Sequence, residues 1–455
     1  MKDTAVVSFD SAVPAVLVRL DRNPFHHGTL GAVRSLGRAG ITVHAVIESP
    51  RSPVAGSRYL RGAYPCPDRA SGDGAGHRAT GAGAWSEPVS DSEDERLHEL
   101  LLRISERVGA PAVLVPLDDL SAISAARLRP RLAGRYLLPD QPPGLPERVA
   151  DKAELAAICG ALGLPHPRTV VPDDAGEAAR AASALGLPVV AKWSRPWLLP
   201  EGSGLRSTVV VRSPREAAEL FVRSAEAGSR LLLQRLLPPG RDLNWFFHGY
   251  RGRDGTLLMG ATGRKERSWP VGAGLTAVGR WLPNPTVERL AGEVTAALGY
   301  RGIADLDFRL DTSTGAYHLL DFNPRPGAQF RLFTDASGTD VVRALHLDLT
   351  GRPVPPQVPA YGRTFVVENY ALLSLLSPPS PAGHGGPSRR PEADRPVVRA
   401  GGTETAWFAR DDPRPAYAMT AAWLRRAARG GGRRLGNPPE KSENRESGEP
   451  LCRTW

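Results

Sequence analysis

The chain has 455 residues, of which 48 are glycine and 43 are proline, and its formal net charge is +10. This length allows two or three domains with separate cores, and the glycine and proline content predicts long loops rather than a collagen-like repeat. Residues 389–455 hold 14 Lys/Arg and nine Asp/Glu, so half of the net charge lies in one polar terminal segment. We therefore predict no nucleic-acid partner, although the pI is about 9.9.

The three cysteines are far apart in sequence, at Cys66, Cys159 and Cys452. Their spacing excludes a disulfide framework and a zinc site of the CxxC type. The first residues lack a basic segment followed by an apolar core, and no apolar run reaches the roughly 18 residues that a membrane span needs. These features predict a cytoplasmic protein.

Residues 1–140 show the alternation of strand and helix that is typical of a parallel α/β sheet, so we predict a Rossmann-like domain there. Its first elements are the strand Pro14–Val18, the helix Thr29–Ala39, the strand Ile41–Val46 and, after an insertion, the strand Ala112–Pro116. The insertion, residues 69–92, is rich in Gly, Ala, Ser and Asp and is predicted to be disordered.

Residues 141–370 predict an α+β domain in which residues 165–237 form a separate subdomain. Asp151 is a candidate N-cap for a helix that begins at Lys152, and Pro188–Lys192 is a short apolar strand. Further strands are predicted at Leu243–His248, Thr256–Thr262, Ala304–Leu310 and Tyr317–Phe322. Residues 371–455 form a Pro/Gly/Arg-rich tail with a possible helix at 415–429.

Two of these strands carry acidic residues at alternating positions. Asp305 and Asp307 share one face of the first strand, and Asp321 and Asn323 share one face of the second. A hairpin through Gly315 brings Asp307 beside Asp321 and Asn323. Oxygen ligands of this kind favour magnesium over zinc, although solvated acids on an edge hairpin would produce the same pattern.

Several cationic and glycine-rich segments could meet phosphate groups. Lys192 ends a buried strand, where an ammonium group needs an anionic partner, and the following loop contains Gly202, Ser203 and Gly204. Arg325 follows the second acidic strand and could hold an anion through its planar fork. The run from Gly263 to Arg267 contains three basic side chains. It either contacts a phosphate group or forms a solvated loop.

Taken in chain order, these segments resemble the ATP-grasp superfamily, and within it the carboxylate–amine ligases similar to D-aspartate ligase. The order is Lys152, Lys192, the glycine loop, the linker Gln234–Leu237, and then Asp307 followed by the Asp-x-Asn motif of Asp321 and Asn323. The resemblance covers about residues 14–370. It implies a Rossmann-like pre-ATP-grasp domain followed by a two-subdomain ATP-grasp fold.

The resemblance also implies roles for individual residues. The α- and β-phosphates of ATP would be held by Lys152 and Lys192, with the loop of Gly202, Ser203 and Gly204 over them. Adenine would contact Gln234, Arg235, Leu236 and Leu237, and the ribose would contact Asp242. Mg²⁺ or Mn²⁺ would be bound by Asp307, Asp321 and Asn323, and Arg325 would contact the transferring phosphoryl group. Asp305 stands where a relative has a phosphate-contacting arginine, so Arg264 or Lys265 is expected to replace it.

The expected activity is ATP-dependent ligation of a carboxylate to an amine through an acyl-phosphate. A biotin-carboxylase-like enzyme and an ATP-binding regulatory protein are the alternatives. The expected partners are small molecules, and the expected state is a monomer or homodimer. Phe25–Gly28 either helps to form a substrate pocket or is a polar loop, and the aromatic and basic residues near 407–429 could contact a membrane surface or another protein.

Overall fold

The computed structural model describes residues 7–67, 91–200, 203–270, 274–376 and 401–432. Most of the predicted insertion 69–92 lies outside these ranges. No helix in the described ranges is long and apolar enough to cross a membrane.

The first unit is a five-stranded parallel sheet flanked by helices, as the alternation of strand and helix predicted. Its elements are β1 Ala15–Val18, α1 His27–Arg38, β2 Val43–Ile47, β3 Leu60–Pro65, α2 Asp91–Val108, β4 Ala112–Pro116, α3 Asp119–Leu128 and β5 Tyr136–Leu137. The strand order is β3-β2-β1-β4-β5. The order reverses between β1 and β4, so the loops after these two strands border the crevice where such sheets bind ligands.

The second unit is a four-stranded antiparallel sheet with its helices packed on one face. Two helices lead into it, α4 Leu145–Ala150 and α5 Lys152–Ala161, and its own elements are β6 Thr169–Val170, α6 Ala175–Leu185, β7 Val189–Trp193, β8 Thr208–Val211, α7 Pro214–Val222, α8 Ser224–Ala227 and β9 Leu231–Arg235. The order is β6-β9-β7-β8. These elements fall within the predicted subdomain 165–237.

The third unit is built on a seven-stranded sheet in the order β14-β13-β10-β11-β12-β15-β16. Its elements are β10 Asn244–Arg251, β11 Leu257–Trp269, β12 Leu275–Trp281, α9 Pro285–Ala297, β13 Gly302–Leu310, β14 Tyr317–Asn323, α10 Val341–Leu349, β15 Thr364–Val366, α11 Glu368–Leu376, β16 Thr403–Thr405 and α12 Arg414–Gly432. A short 3-10 helix, Phe330–Phe333, packs on this sheet through Phe333, whose ring meets those of Phe246 and Trp281.

Packed structure continues beyond residue 370, where the sequence analysis placed the start of the tail. β16 extends the seven-stranded sheet by pairing with β15 in parallel. Trp407 is fully buried and Trp423 on α12 packs against the main core, whereas Phe408 and Leu424 are exposed. A contact of this segment with a membrane surface or another protein stays a prediction. The sequence pattern missed the packed structure because the strand has only three residues and its contacts join distant parts of the chain.

A buried ion pair fastens residues 401–432 to the first unit, so its loss should be costly. The Asp412 carboxylate is buried and accepts hydrogen bonds from Arg34 Nε at 3.0 Å, Ser57 Oγ at 2.7 Å and the Arg58 amide at 2.9 Å. Removing one partner leaves an uncompensated buried charge, so Asp412→Ala should lower the free energy of unfolding by about 3–5 kcal/mol in chemical denaturation. The half-exposed neighbour Asp411 is the control, and Asp411→Ala should cost about 1 kcal/mol or less. Equal losses would contradict this assignment.

His27 at the start of α1 gives the fold a pH dependence. Its ring is buried against Tyr370, Phe365 and Trp407, and burial lowers its pKa to about 4 from an ordinary value of 6.5. As pH falls from 6.5 to 4 the unfolded chain takes up a proton at this histidine and the folded chain does not, so stability is lost in that window, by up to about 3 kcal/mol. Denaturation at pH 7 and pH 4 should show a smaller loss for His27→Gln than for the unchanged chain. Parallel pH curves would contradict the prediction.

Candidate active site

The acidic hairpin has the register that its alternating residues predicted. β13 and β14 are antiparallel neighbours at the edge of the seven-stranded sheet, with Asp307 directly opposite Asp321 and Asp305 opposite Asn323. A bulge follows Asp307 and leaves Leu320 without a partner across the ladder. Side chains of directly opposed residues share a face of the sheet, so two carboxylates are held about 5 Å apart at their β-carbons.

Lys152 and Lys192 meet at this hairpin although 39 residues separate them in sequence. Lys152 Nζ lies 2.6 Å from Asp321 Oδ1, and Lys192 Nζ lies 3.9 Å from the same oxygen. Lys192 Nζ also donates to the Leu320 carbonyl at 3.4 Å. The second unit, the helix α5 and the acidic hairpin therefore meet at Asp321. The order of these segments along the chain led us to expect that both lysines would lie at one site.

Asp151 sets the position of Lys152. The buried Asp151 carboxylate caps α5 by accepting from the amides of Ala153 and Glu154, and it also accepts from Arg195 Nε at 2.8 Å. The Lys152 amide donates to the Ser194 carbonyl at 2.8 Å, and Ser194 directly follows β7. The start of the helix is thereby attached to the end of the strand that carries Lys192.

The two opposed carboxylates have different electrostatic surroundings. Burial disfavours charge on Asp321, but Lys152 and Lys192 outweigh burial and bring its pKa to about 2. At Asp307 burial is the largest influence, and with the like charges of Asp305 and Asp321 it raises the pKa in spite of Lys265. The influences on the Asp307 carboxylate are burial and the charges of its neighbours, with no side-chain hydrogen bond among the leading causes. Asp307 is therefore the acid that most needs an added cation.

The residues present fit a magnesium ion that is also held by phosphate oxygens. Asn323 Nδ2 donates to the Asp305 carbonyl at 3.2 Å and to Asp305 Oδ2 at 3.3 Å, which leaves the Asn323 amide oxygen for another ligand. In the part of the chain that the structure describes, no three His, Cys, Asp or Glu side chains form a metal site by themselves. A nucleotide would have to complete the coordination shell, as is usual for magnesium.

Arg325 joins the hairpin to the first unit, through contacts that the sequence analysis did not predict. Its Nη1 lies 3.0 Å from Asp305 Oδ2 and its Nε lies 3.3 Å from Asp119 Oδ1. Asp119 begins α3 just after β4, at the point where the strand order of the first sheet reverses. Arg325 thus lies where the crevice of the first unit meets the acidic hairpin.

His248 is a further residue that the sequence analysis missed. It is fully buried on β10 directly opposite Asp305, and its Nε2 lies 3.0 Å from Asp305 Oδ1. The loop after Arg325 approaches both side chains so closely that a β-carbon at Gly327 would lie 2.4 Å from His248 Cε1. Strand alternation places residue 248 on the acidic face, but its neighbour across the sheet could be known only from the register.

Lys265 and Arg264 have opposite outcomes because they alternate along a strand. The segment that carries them is part of β11 and not a loop. Lys265 lowers the pKa of Asp307, Asp305 and Asp321, so its charge reaches the acid cluster. Arg264 instead pairs with Glu266 at 2.8 Å and with Asp242 at 3.5 Å. Of the two expected replacements for a phosphate-contacting arginine, only Lys265 is brought to the acids.

The linker predicted for adenine lies along the same cleft. Lys192 shares a face of the second sheet with Val190, Leu232 and Gln234, while the alternate residues point into that unit's own core. Gln234 Nε2 donates to Thr169 Oγ1 at 3.0 Å. Val190 and Leu232 give this face an apolar part that suits the flat ring of a base.

The remaining linker and loop residues are less closely connected to the cleft. Arg235 pairs with the buried Asp311, Leu237 is buried and Leu236 is exposed. Asp242, predicted for ribose, is exposed with a positive φ of 62°, and its carboxylate lies 3.5 Å from Arg264. Ser203 donates to the Pro200 carbonyl, Gly204 has a φ of +72°, and neither contacts the two lysines. Gly202 lies outside the described residues.

The segment Phe25–Gly28 lies beside the loop that follows Arg325. His26 caps α1 by accepting from the Thr29 amide, and a β-carbon on Gly28 would lie 2.8 Å from Ala328 Cα. Burial, Arg19, His27 and Arg325 together lower the pKa of His26 well below its ordinary range. The first unit therefore contributes a neutral imidazole close to Arg325.

Comparison with known proteins identifies the fold. No family model matches the sequence, and no match was found among curated proteins. The biotin carboxylase domain of 2-oxoglutarate carboxylase from Hydrogenobacter thermophilus superposes with a TM-score of 0.53 and 18% identity, over 77% of this chain and 73% of that one. N5-carboxyaminoimidazole synthetase from Staphylococcus aureus gives 0.53, 11%, 77% and 80%, and biotin carboxylase from Campylobacter jejuni gives 0.53, 14%, 75% and 72%. The chain has the ATP-grasp fold that these proteins share.

Proposed function

We propose that this protein is an ATP-dependent ligase that activates a carboxylate as an acyl-phosphate and joins it to an amine, releasing ADP and phosphate. The observation that carries the proposal is the convergence of Lys152 and Lys192 on the opposed acids Asp307 and Asp321. Cations from two separate units facing a carboxylate pair are suited to grip a polyphosphate between them.

The chain's own residues suggest how the site works. Asp321 lies 2.6 Å from Lys152 Nζ and 3.9 Å from Lys192 Nζ, so it holds both ammonium groups where they would meet the α- and β-phosphates of ATP. Asp307, Asp321 and the Asn323 amide oxygen would hold Mg²⁺, which neutralises charge on the β- and γ-phosphates. Lys265 acts electrostatically on Asp307 and Arg325 pairs with Asp305, and both cations would steady the phosphoryl group in transfer.

The proposed reaction has two steps. A carboxylate oxygen attacks the γ-phosphorus, the bond to the β-phosphate oxygen breaks, and ADP leaves. An amine then attacks the acyl carbon, the C–O bond to phosphate breaks, and the amine gives up a proton. His26 and Arg325 lie at the border between the first unit and the hairpin, which is where we place the carboxylate and the amine.

A second candidate is an ATP-dependent carboxylase in which bicarbonate is the acid. It is favoured by the structural similarity to the Hydrogenobacter thermophilus domain, whose structure contains ADP with magnesium and bicarbonate. The narrower expectation of a D-aspartate ligase-like enzyme rests on the sequence resemblance alone.

ADP release distinguishes these possibilities. Purified protein with Mg-ATP should release ADP only when a suitable acid and an amine are both present, and mass spectrometry should detect the amide. Bicarbonate, amino acids and other small carboxylates are tested one at a time against a panel of amines. Release that depends on bicarbonate identifies the carboxylase. Tight ATP binding without ADP from any mixture contradicts both and leaves a regulatory ATP-binding protein.

A further inference from the structure

A cavity of about 440 Å³ lies outside the cleft described above. It is formed by α1, the 3-10 helix Phe330–Phe333, the residue before β15, and residues 402–411. Its lining residues are Arg34, Arg38, Arg331, Arg363, Gly402, Thr403, Glu404, Thr405, Phe408, Ala409, Arg410 and Asp411. None of the residues assigned above to nucleotide or metal lines it. Its size is within the range of small-molecule sites.

The lining is dominated by guanidinium groups. Five arginines from four segments of the chain face two carboxylates, Glu404 and Asp411. Asp412 pairs with Arg34 behind the wall, and Asp340 lies 3.9 Å from Arg331. Burial lowers the pKa of Arg34, and repulsion from Arg38 and Arg331 lowers it further although Asp412 opposes both. The five arginines and the four acids Glu404, Asp411, Asp412 and Asp340 leave a net charge of +1 around the cavity.

The acids do not use all of the available hydrogen-bond donors. Glu404 is shared, because it accepts from Arg331 and from Arg363 Nη2. Arg363 Nε is buried without an acceptor. Arg410 is exposed and has no acidic partner among the residues that the structure describes. Arg38, in contrast, is held by Asp411 in a two-bond pair.

We propose that this cavity binds the phosphate group of a small molecule other than the ATP in the cleft. Arginine forks match the geometry of phosphate oxygens and can bind them in pairs. Arg363 and Arg410 are the direct ligands, because they have donors to spare, whereas Arg34, Arg38 and Arg331 are already paired with acids. Phe408 and Ala409 give the cavity an apolar side that suits the organic part of such a molecule.

The cavity is connected to the acidic hairpin through one short helix. Arg331 lines the cavity, and Phe333 in the same helix packs against the His248 ring with 5.1 Å between centroids. His248 in turn contacts Asp305. A phosphate bound by Arg363 competes with Glu404, which Arg363 shares with Arg331, and so acts on this helix and on the hairpin. The ligand is either an effector or a phosphorylated substrate that extends from the cleft.

Calorimetry with inorganic pyrophosphate tests the binding, independently of the proposed activity. The full chain is first saturated with magnesium and a non-hydrolysable ATP analogue, so that the cleft is blocked. One further pyrophosphate should then bind, and Arg363→Gln and Arg410→Gln should each weaken it about tenfold. Arg289→Gln, on an exposed arginine of α9, is the matched control and should change nothing.

Arg410 is exposed, so its variant should fold normally, and circular dichroism with thermal melting checks this. Absence of binding in the saturated protein, or binding that is unchanged in the Arg363→Gln, Arg410→Gln double variant, overturns the proposal. Once a substrate pair is known, the source of the phosphate follows from turnover. Pyrophosphate that competes with an acid or amine substrate indicates a phosphorylated substrate, and pyrophosphate that changes the rate at saturating substrates indicates an effector.

Discussion

Asp321→Asn should lower the rate of ADP formation by roughly 10²–10³-fold, the range found when one preorganised electrostatic contact to a transition state is removed. The carboxylate is the common partner of Lys152 and Lys192, at 2.6 and 3.9 Å, and is also a candidate metal ligand opposite Asp307. Asparagine keeps the shape but not the charge. The rate of ADP release at saturating ATP and magnesium measures the effect directly.

Nucleotide binding separates this role from a folding defect. Without magnesium, Asp321→Asn should bind ADP at least as tightly as the unchanged protein, because the two lysines lose the acid that competes with phosphate for them. Asp254→Asn is the matched control: its carboxylate lies on an exposed turn, where it accepts from the Thr256 amide and hydroxyl. Full turnover in Asp321→Asn would remove the hairpin from the mechanism, and loss of both ADP binding and thermal stability would indicate unfolding.

The sequence predicted those parts of the molecule that depend on local pattern. Alternation along two strands placed Asp305 and Asp307 on one face and brought Asp307 beside Asp321 and Asn323, and the choice of Asp307 over Asp305 rested on the spacing of the resemblance. The direct pairing of Asp307 with Asp321 depends on the bulge after Asp307, which the pattern does not show. The apolar strand that ends at Lys192 and the capped helix that begins at Lys152 were also identified, and their order along the chain indicated one nucleotide cleft.

Contacts between segments that are far apart in the chain could not be predicted from the sequence. Nothing local to Asp119 shows that it meets Arg325, 206 residues later, across the border of two units. The three-residue strand β16 and the Asp412 pair with Arg34 escaped for the same reason, since a short polar segment carries no periodicity. Arg264 and Lys265 were indistinguishable while their segment could be a loop, and became distinct once β11 fixed their faces.

Asp305→Asn should raise the magnesium concentration for half-maximal activity by about 10- to 100-fold, the usual effect of removing a group that orients a metal ligand. Asp305 is buried and ionised: burial raises its pKa, but His248 and Arg325 outweigh burial and lower it. Its carboxylate lies 3.0 Å from His248 Nε2 and accepts from Arg325 Nη1 and Asn323 Nδ2 at 3.0 and 3.3 Å. It thereby fixes which way the Asn323 amide faces.

An asparagine at 305 would turn its own N–H groups toward at least one of these donors, so Asn323 and Arg325 should loosen together. Manganese binding in the presence of ADP, followed by electron paramagnetic resonance, should weaken in parallel with the magnesium dependence of turnover. Asp348→Asn is the control, because Asp348 is also a largely buried acid, accepting from Tyr250 and Arg253, but it lies outside the cleft. It should lose stability without a change in metal dependence. His248→Gln removes one partner of Asp305 and should raise the magnesium requirement by a smaller factor. An unchanged magnesium requirement in Asp305→Asn would show that Asn323 is oriented by other groups.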